Sequence, residues 1–427
     1  MISNLKVKSE FSKNVLILMT GTVVAQAIPI AISPILTRIY SPKDFGLLAL
    51  FFAILSIFSV IVNGRYESAV MLPKKDEDAL HIFALGIVIN TLISIALLVI
   101  VIIFNDSITK ALGDDEISLW LYFIPIALFF TGLFNILNGI NNRKKNYKDI
   151  ASATITKSIV MALIQVLVGL VKSGAGGLIL GQIVAQFFAN VKLFKNIVKD
   201  KKTLFSIKRL KIIALAIKYK KFPIFSVPSA LANVLSGHLT NILISSFYSV
   251  ATLGFYSLVQ RVLGIPSALI GNSIGQVYYE EATRERKRNG VVSSIFNATL
   301  KKLIIVGFPS FFILFFIIEE LFAFVFGEEW RVAGHYAQIV IPMFFICFVV
   351  SSLSSTYDIF EALKIELLWQ IALLVGSVII VIIAHIMSVK FDNLLIALSL
   401  YISILQLISL YIMKKISSKK GKIDDKY

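Results

Sequence analysis

Twelve stretches of this chain are long and apolar enough to cross a lipid bilayer, and the charged residues lie almost entirely between them. A hydrocarbon core about 30 Å thick needs roughly 20 apolar residues of helix. The runs are too long and too evenly apolar for barrel strands, and backbone groups in lipid must be hydrogen-bonded within their own segment, so helices are predicted. The predicted fold class is an all-α integral membrane protein with spans at about 14–39, 45–64, 80–104, 118–140, 150–171, 175–194, 222–247, 254–277, 302–326, 333–356, 366–388 and 392–413.

The net charge of +17 could suggest a nucleic-acid partner, but the distribution of the charge argues against one. The chain is 57% hydrophobic and only 16% charged, and its basic residues lie in short gaps between spans. They do not form one folded basic face. The single cysteine, Cys347, has no partner for a disulfide. No metal site is expected either, because no two histidines are spaced so that they would lie on one face of a helix as metal ligands. The four histidines are His81, His238, His335 and His385.

Lysine and arginine are divided unequally between the two predicted sides of the membrane. With both termini inside, few of the 42 basic residues lie outside, and such a bias is the positive-inside signal of a plasma membrane protein. The outside residues are Arg38, Lys43, Lys110, Lys172, Arg331 and Lys390. The first apolar run is too long for a signal peptide and lacks a small-residue cleavage site, so an uncleaved first span is expected.

The longest gap between spans, residues 196–221, is basic and separates two halves of six spans. We predict an N-terminal lobe over 1–195, a C-terminal lobe over 222–413 and a basic cytoplasmic tail over 414–427. An amphipathic helix in the gap could lie on the inner membrane face, with its basic residues attracted to anionic lipid. A solvated linker that controls topology is the alternative. The apolar positions that suggest the helix are Leu204, Ile207, Leu210, Ile213 and Leu215.

The two halves contain an internal repeat. Tyr40-Ser41, four residues and Gly46 recur as Tyr248-Ser249, four residues and Gly254, each in the short outer turn between the first two spans of its half. Six spans return the chain to its starting side, so the halves are predicted to be parallel repeats, forming two lobes around a central cavity as in alternating-access transport. The first span of each half also carries two prolines, which are hinge candidates: Pro29, Pro34, Pro223 and Pro228.

Several cationic residues lie where lipid would make an isolated charge costly, which marks them as functional candidates. Arg261 lies beside Gln260, roughly 10 Å into span 8 at 1.5 Å per residue, and Lys157 lies at a similar depth in span 5. Extension of either side chain to the headgroups is the alternative. Arg65 and Glu67 close span 2; residues two apart do not face each other on a helix, so each is expected to find its partner on another helix. These cations indicate an anionic substrate, because arginine can hold phosphate oxygens bidentately.

Polar residues in two other spans are weaker candidates. His238 and Asn241 belong to a polar run in span 7, where the histidine could take up a proton or simply bond a neighbouring helix. Glu319 and Glu320, in the outer third of span 9, could bind a coupling cation or proton, with an interfacial pair as the alternative.

Four segments together resemble the polysaccharide (O-antigen-type) flippases of the multidrug/oligosaccharidyl-lipid/polysaccharide exporter superfamily. They are ILTRIYSPKDFGLLALF at the end of span 1, NGRYESAVMLPKK at the end of span 2, the stretch from FPIFSVPSALANV to IGQVYYEEA through spans 7 and 8, and FAFVFGEEWRVAG at the end of span 9. The resemblance extends over essentially the whole chain and implies two six-helix lobes around a central cavity.

The resemblance also implies a function. Members flip a polyprenyl-pyrophosphate-linked oligosaccharide, the repeat unit of O-antigen or capsule, from the inner to the outer leaflet of the bacterial plasma membrane. No enzymatic activity and no cofactor are expected; coupling to a proton or sodium gradient stays open. Implied partners are the lipid-linked substrate, membrane lipids, a polysaccharide polymerase and its chain-length machinery. The cations that would match the family's substrate-binding role are Arg65, Arg261, Lys157 and, at the outer mouth, Arg38.

Two other functions are alternatives to the flippase. A multidrug exporter of the same superfamily would be expected to carry a committed acidic site deep in the first lobe, and Glu67 lies near the inner end. A membrane polysaccharide polymerase or ligase would need catalytic residues in a large outer loop, whereas the longest predicted outer loop covers only about 105–117. No nucleotide-binding loop or nucleophile elbow is evident.

Overall fold

The computed structural model describes residues 2–171, 174–198 and 208–418, and within these ranges it contains helices and turns but no strand. Twelve candidate membrane spans lie in the described part of the chain, which confirms the predicted all-α membrane fold. In chain order, spans 1 to 12 are Thr20–Ile39, Pro42–Ile61, Asp76–Leu112, Ile117–Arg143, Tyr147–Val171, Gly176–Lys195, Phe222–Phe247, Val250–Asn289, Ser293–Phe326, Glu328–Ile359, Lys364–Ile386 and Phe391–Ser417.

Some spans are interrupted and some helices extend beyond them. Span 1 is the end of the helix Ile2–Ile39, and the helix of span 6 runs on to Val198. Between spans lie the short helix Tyr66–Ala69 and the linker helix Arg209–Lys218. Four spans are interrupted. Span 4 consists of Ile117–Leu121 and Ile124–Arg143, and span 7 consists of a π-helical turn Phe222–Ser226 followed by Val227–Phe247. Span 8 consists of Val250–Leu263, a π-helical turn Ser267–Gly271 and Asn272–Asn289, and span 10 consists of Glu328–Trp330, Arg331–Leu353 and Thr356–Ile359.

The prediction of an outer loop over residues 105–117 is wrong. Span 3 continues as a helix to Leu112, with a distortion at Phe104, and the next helix begins at Ile117. Asn105 looks like a loop residue, but its amide donates to the Ser118 carbonyl oxygen at 3.0 Å. The side chain therefore bonds across the turn, and only the short stretch around Gly113 is irregular.

The described helices form two compact units, Met1–Gly254 (the first unit) and Phe255–Tyr427 (the second unit). Span 7 belongs to the first unit, where it packs against span 2. Ser245 and Ser246 at its end donate to the carbonyl oxygens of Leu112 and Ala111, at 3.1 and 2.7 Å. The division into lobes at residues 196–221 stays a prediction.

The two copies of the repeat adopt the same local structure. Ser41 accepts a hydrogen bond from the Asp44 backbone N–H at 3.3 Å, and Ser249 accepts one from Thr252 at 3.0 Å. Each serine therefore begins the second helix of its repeat as an N-terminal cap. The glycine five residues later lies in the first turns of that helix.

Gly46 and Gly254 bring the two copies into direct contact within the first unit. A Cβ atom on Gly46 would overlap the Val250 carbonyl oxygen, and a Cβ on Gly254 would overlap that of Pro42. Only glycine lets the two helix starts approach so closely.

The prolines of span 1 lie inside a continuous helix. Pro29 cannot donate to the carbonyl oxygen of Ala25, and the Ser158 hydroxyl of span 5 donates to that oxygen instead, at 2.7 Å. A neighbouring helix thus satisfies the group that proline leaves free. In span 7, Pro223 lies in the π-helical turn and Pro228 lies in the first turn of the following helix. Their role as hinges stays a prediction.

The basic gap contains the linker helix Arg209–Lys218, which packs against the start of span 3. Lys211 pairs with Glu77 at 2.7 Å and with Asp78 at 3.2 Å, and Leu215 is buried. Leu210 and two other apolar side chains, Ile213 and Ile217, are exposed on another face. The amphipathic helix exists in part, its contact with lipid stays a prediction, and Leu204 and Ile207 lie outside the described residues.

Candidate substrate-binding site

Arg65 and Glu67 lie where the chain turns after span 2. Gly64 and Arg65 have φ angles of 57° and 62°, in the left-handed region, so the helix stops before the short helix Tyr66–Ala69. Arg65 Nη1 lies 3.5 Å from Glu67 Oε1. The expectation that each residue finds its partner on another helix is therefore wrong. It assumed a continuous helix, and the left-handed turn lets two residues separated by one position form an ion pair.

Arg65 and Glu67 line a cavity of about 380 Å³, here called the amide-lined cavity. Arg65 Nε and Glu67 Oε2 are both buried without a hydrogen-bond partner among the described residues. Gly139 permits the close approach, since a Cβ there would lie 2.8 Å from the Glu67 carbonyl oxygen. An unsatisfied buried donor and acceptor are costly, so the cavity has unused capacity for a polar ligand. Its other lining residues are Ser68, Met71, Asn135, Asn138 and Asn142.

Burial dominates the electrostatics of Glu67. Desolvation raises the pKa of Glu67 above its usual range, and the opposing backbone hydrogen bond and Arg65 charge do not reverse this. The pair with Arg65 is too long and too exposed on the arginine side to compensate, since that side chain is 37% exposed. Glu67 can therefore take up a proton at a higher pH than an ordinary glutamate.

The substitution Glu67→Gln tests whether burial in the amide-lined cavity is unfavourable for the Glu67 carboxylate. Above the raised pKa the ionised carboxylate destabilises the folded state, so glutamine is expected to raise the melting temperature there by a few degrees. As the pH falls through the raised pKa, the carboxyl is neutralised and the difference should disappear. Thermal unfolding of both proteins between pH 4 and 8 checks this. The control is Glu116→Gln, which removes the partner of an exposed lysine and should give no stabilisation. A lower melting temperature for Glu67→Gln than for the unmodified protein at pH 7 would contradict the interpretation that burial of the Glu67 carboxylate is unfavourable.

Two lysines extend the positive charge of the first unit. Lys157 in span 5 lies over the ring of Phe134, 5.6 Å from its centroid. Phe134 is one turn from Asn138 of the amide-lined cavity on the same face of span 4. Lys192 in span 6 donates to the hydroxyl oxygens of Ser152 and Thr156 of span 5, at 2.5 and 3.0 Å. Among the described residues neither lysine forms an ion pair, so no carboxylate neutralises either charge.

Lys192 is not among the candidates from the sequence, because it lies only two residues before the predicted end of span 6 at 194, where basic residues are common. The helix continues to Val198, so Lys192 lies nearly two turns before its end. Serine and threonine four residues apart on span 5 were the available signal, since residues at that spacing share a helix face.

Four candidates belong to the second unit. Gln260 and Arg261 end the helix Val250–Leu263 and are half-buried. Glu319 is half-buried, while Glu320 is paired with Arg331, whose Nη2 lies 3.1 Å from Glu320 Oε2. Glu320 thus forms an ion pair, and the choice between a coupling site and an interfacial pair stays a prediction.

The remaining candidates lie in the first unit. Arg38 is exposed and donates to the Pro34 carbonyl oxygen of its own helix at 2.7 Å, in the last turn where a cation also favours the helix dipole. His238 is half-buried and Asn241 is buried in span 7. In the described residues no group of three or more histidine, cysteine, aspartate or glutamate side chains could hold a metal ion.

The fold defines the class of protein. The structure is similar to that of the lipid II flippase MurJ in an inward closed conformation, with a TM-score of 0.74 and 15% identity, over 94% of this chain and 90% of that chain. An inward-facing multidrug resistance MATE family transporter of the MOP superfamily gives a TM-score of 0.71 at 11% identity, over 94% and 95%. The chain is therefore an integral membrane protein with the fold of this superfamily.

The sequence comparison identifies the family. The family model described as "Polysaccharide biosynthesis protein" matches residues 35–335, and the chain belongs to this family. This chain is 22% identical over 310 residues to the succinoglycan biosynthesis transport protein ExoT of Rhizobium meliloti (strain 1021). The aligned residues cover 70% of this chain and 59% of that protein. The chain thus spans about three-fifths of the length of that relative. The resemblance found in the sequence is confirmed.

Proposed function

We propose that this protein is a flippase that moves polyprenyl-pyrophosphate-linked oligosaccharide repeat units from the cytoplasmic to the outer leaflet, for O-antigen or capsule synthesis. It belongs to a polysaccharide biosynthesis family, and the name of one relative describes a transport protein for succinoglycan biosynthesis. The proposal includes a bacterial plasma membrane location with both termini cytoplasmic. It also includes transport without an enzymatic step.

The observation that carries the proposal is a group of three half-buried cations in the first unit, of which Lys157 and Lys192 have no carboxylate partner among the described residues. Arg65 presents a buried, unpartnered Nε to the amide-lined cavity. Lys157 and Lys192 are half-buried on neighbouring helices, with no carboxylate paired to either among the described residues. Desolvated cations without counterions are costly and are normally kept for a ligand or pathway. A pyrophosphate supplies the negative charge that the two lysines lack and an oxygen acceptor for Arg65 Nε.

In the proposed mechanism the amide-lined cavity and the two lysines receive the pyrophosphate. Arg65 and the amides of Asn135 and Asn138 donate hydrogen bonds, and the lysines reduce the cost of moving an anion away from water. The lipid tail stays in the bilayer while alternating access of the two predicted lobes exposes the headgroup first to one side and then to the other. Glu67, with its raised pKa, is the candidate for coupling to a proton gradient. A polymerase and its chain-length machinery would receive the product.

A cation-coupled multidrug exporter is the second candidate, favoured by the structural likeness to a MATE family transporter. Such a protein would need an acidic site for its cationic cargo. The carboxylate that lines the amide-lined cavity, Glu67, already has Arg65 beside it, so the cavity suits anions better.

The test is the lipid-linked oligosaccharide content of cells that lack the protein. We expect one complete repeat unit to accumulate on the inner leaflet, identified by mass spectrometry and by its inaccessibility to a glycosidase added outside. Normal surface polysaccharide together with sensitivity to toxic organic cations would instead support the exporter.

A further inference from the structure

The second unit contains a cavity of about 570 Å³ whose lining is rich in hydroxyl groups, here called the serine-lined cavity. It lies where span 8 passes the end of span 10. Its lining residues are Gly271, Gly275, Gln276, Tyr279, Ser351, Ser352, Ser354, Ser355 and Asp358.

The serine-lined cavity occupies the same place in its repeat as the amide-lined cavity does in the first. Both are formed by the second and fourth spans of a half, near the ends that the charge bias places inside. In each, a glycine allows the two spans to approach closely. A Cβ on Gly139 would lie 2.8 Å from the Glu67 carbonyl oxygen, and a Cβ on Gly275 would lie 3.1 Å from that of Ser352. The helix is also irregular at both places, through the left-handed turn at Arg65 and the π-helical turn Ser267–Gly271.

The chemistry of the two cavities differs although their positions correspond. The serine-lined cavity has no lysine or arginine among its lining residues and has one carboxylate, Asp358. It is therefore unsuited to a pyrophosphate.

Its hydroxyl groups favour a ligand that donates many hydrogen bonds. Ser352 and Ser354 donate to the carbonyl oxygens of Phe348 and Ser351, at 2.9 and 2.8 Å. Because a hydroxyl oxygen has two lone pairs, both remain able to accept. The Ser355 hydroxyl oxygen is buried and has no partner among the described residues, which is a cost that a bound donor would remove.

We infer that the serine-lined cavity binds the sugar part of the transported lipid, and that it favours neutral or amino sugars over acidic ones. Sugar hydroxyls donate to the serines and to Asp358, and the exposed ring of Tyr279 offers a flat face to the ligand. An acidic sugar would meet repulsion from Asp358 with no cation to offset it. This inference rests on the proposed function, because it names where the oligosaccharide of that substrate is held.

The test compares binding of two lipids to the full chain in nanodiscs. One probe is the lipid-linked oligosaccharide extracted from cells lacking the protein, and the other is polyprenyl pyrophosphate without sugar. The double variant Ser355→Ala/Asp358→Asn is expected to weaken binding of the first about tenfold, as for two lost hydrogen bonds. Binding of the sugar-free lipid should not change.

Ser310→Ala is the matched control, since Ser310 is exposed on span 9 and its hydroxyl donates to the Val306 carbonyl oxygen of its own helix. This variant should bind both lipids as the unmodified protein does. If the double variant does not fold, Gln276→Ala, which truncates an exposed lining side chain, replaces it. Unchanged binding of the oligosaccharide lipid, or equal weakening of both lipids, would overturn the inference and leave the proposed function standing. An unmodified protein that binds neither lipid would overturn the proposed function itself.

Discussion

Valine in place of Gly46 or Gly254 is expected to destabilise the protein by about 3 kcal/mol, at the upper end of the range for overpacked positions. In each case the new Cβ overlaps a backbone carbonyl oxygen of the other repeat copy, Val250 or Pro42. A backbone atom cannot rotate away as a side chain can, so the two helix starts would have to separate. The measurements are the thermal unfolding midpoint in detergent and transport in cells, both of which should fall sharply.

Gly237→Val is the control for this prediction. Gly237 lies in the interior of the span 7 helix, and a Cβ built there meets no described atom within 4 Å. The same change of residue should therefore be nearly neutral at this position. If Gly46→Val unfolds at the same temperature as Gly237→Val, the contact between the repeat copies does not exist as described.

Removal of the three cations of the candidate site is expected to have the largest effect on transport without a large effect on folding. A hydrogen bond to a charged group contributes about 1.5–3 kcal/mol, so alanine at Arg65, Lys157 or Lys192 should lower transport of the lipid-linked oligosaccharide about 10- to 100-fold each. Arg65→Lys should recover part of the loss, because lysine keeps the charge but cannot form two parallel hydrogen bonds to one phosphate. Flipping rates in proteoliposomes measure the effect.

Lys43→Ala is the matched control for the lysine variants. Lys43 is exposed and pairs with Asp114 and Glu116, at 3.1 and 2.7 Å, and surface pairs of this kind contribute little. Transport by this variant should be close to normal. A triple variant of Arg65, Lys157 and Lys192 that still flips the lipid at the normal rate would remove these residues from the mechanism.

Much of the fold could be predicted because the membrane imposes a simple rule on the sequence. Twelve runs of apolar residues gave twelve helical spans. The boundaries were less predictable, as for span 3, which begins at Asp76 and ends at Leu112. Hydropathy marks the part of a helix inside the hydrocarbon, and it carries no signal for the polar turns by which a helix extends beyond it.

The candidate site was only partly predictable. The sequence singled out Arg65, Glu67 and Lys157 by their type and depth, but it misjudged the pairing of the first two. Two successive left-handed residues, Gly64 and Arg65, redirect the chain there, and a non-glycine residue in that conformation is uncommon. Lys192 could not be recognised, because the sequence does not show that its ammonium group bonds Ser152 and Thr156 of the neighbouring span 5.

The amino-acid sequence alone was sufficient for the membrane environment, the number of spans, the internal repeat and the excess of positive charge. Each of these depends on composition and local spacing, which the chain carries without folding. Tertiary structure decided that Gly46 and Gly254 meet the opposite repeat copy, that Ser158 satisfies the carbonyl freed by Pro29, and that the two repeats enclose cavities of different chemistry. Those features depend on atoms that are far apart in the chain and come together only when the helices pack.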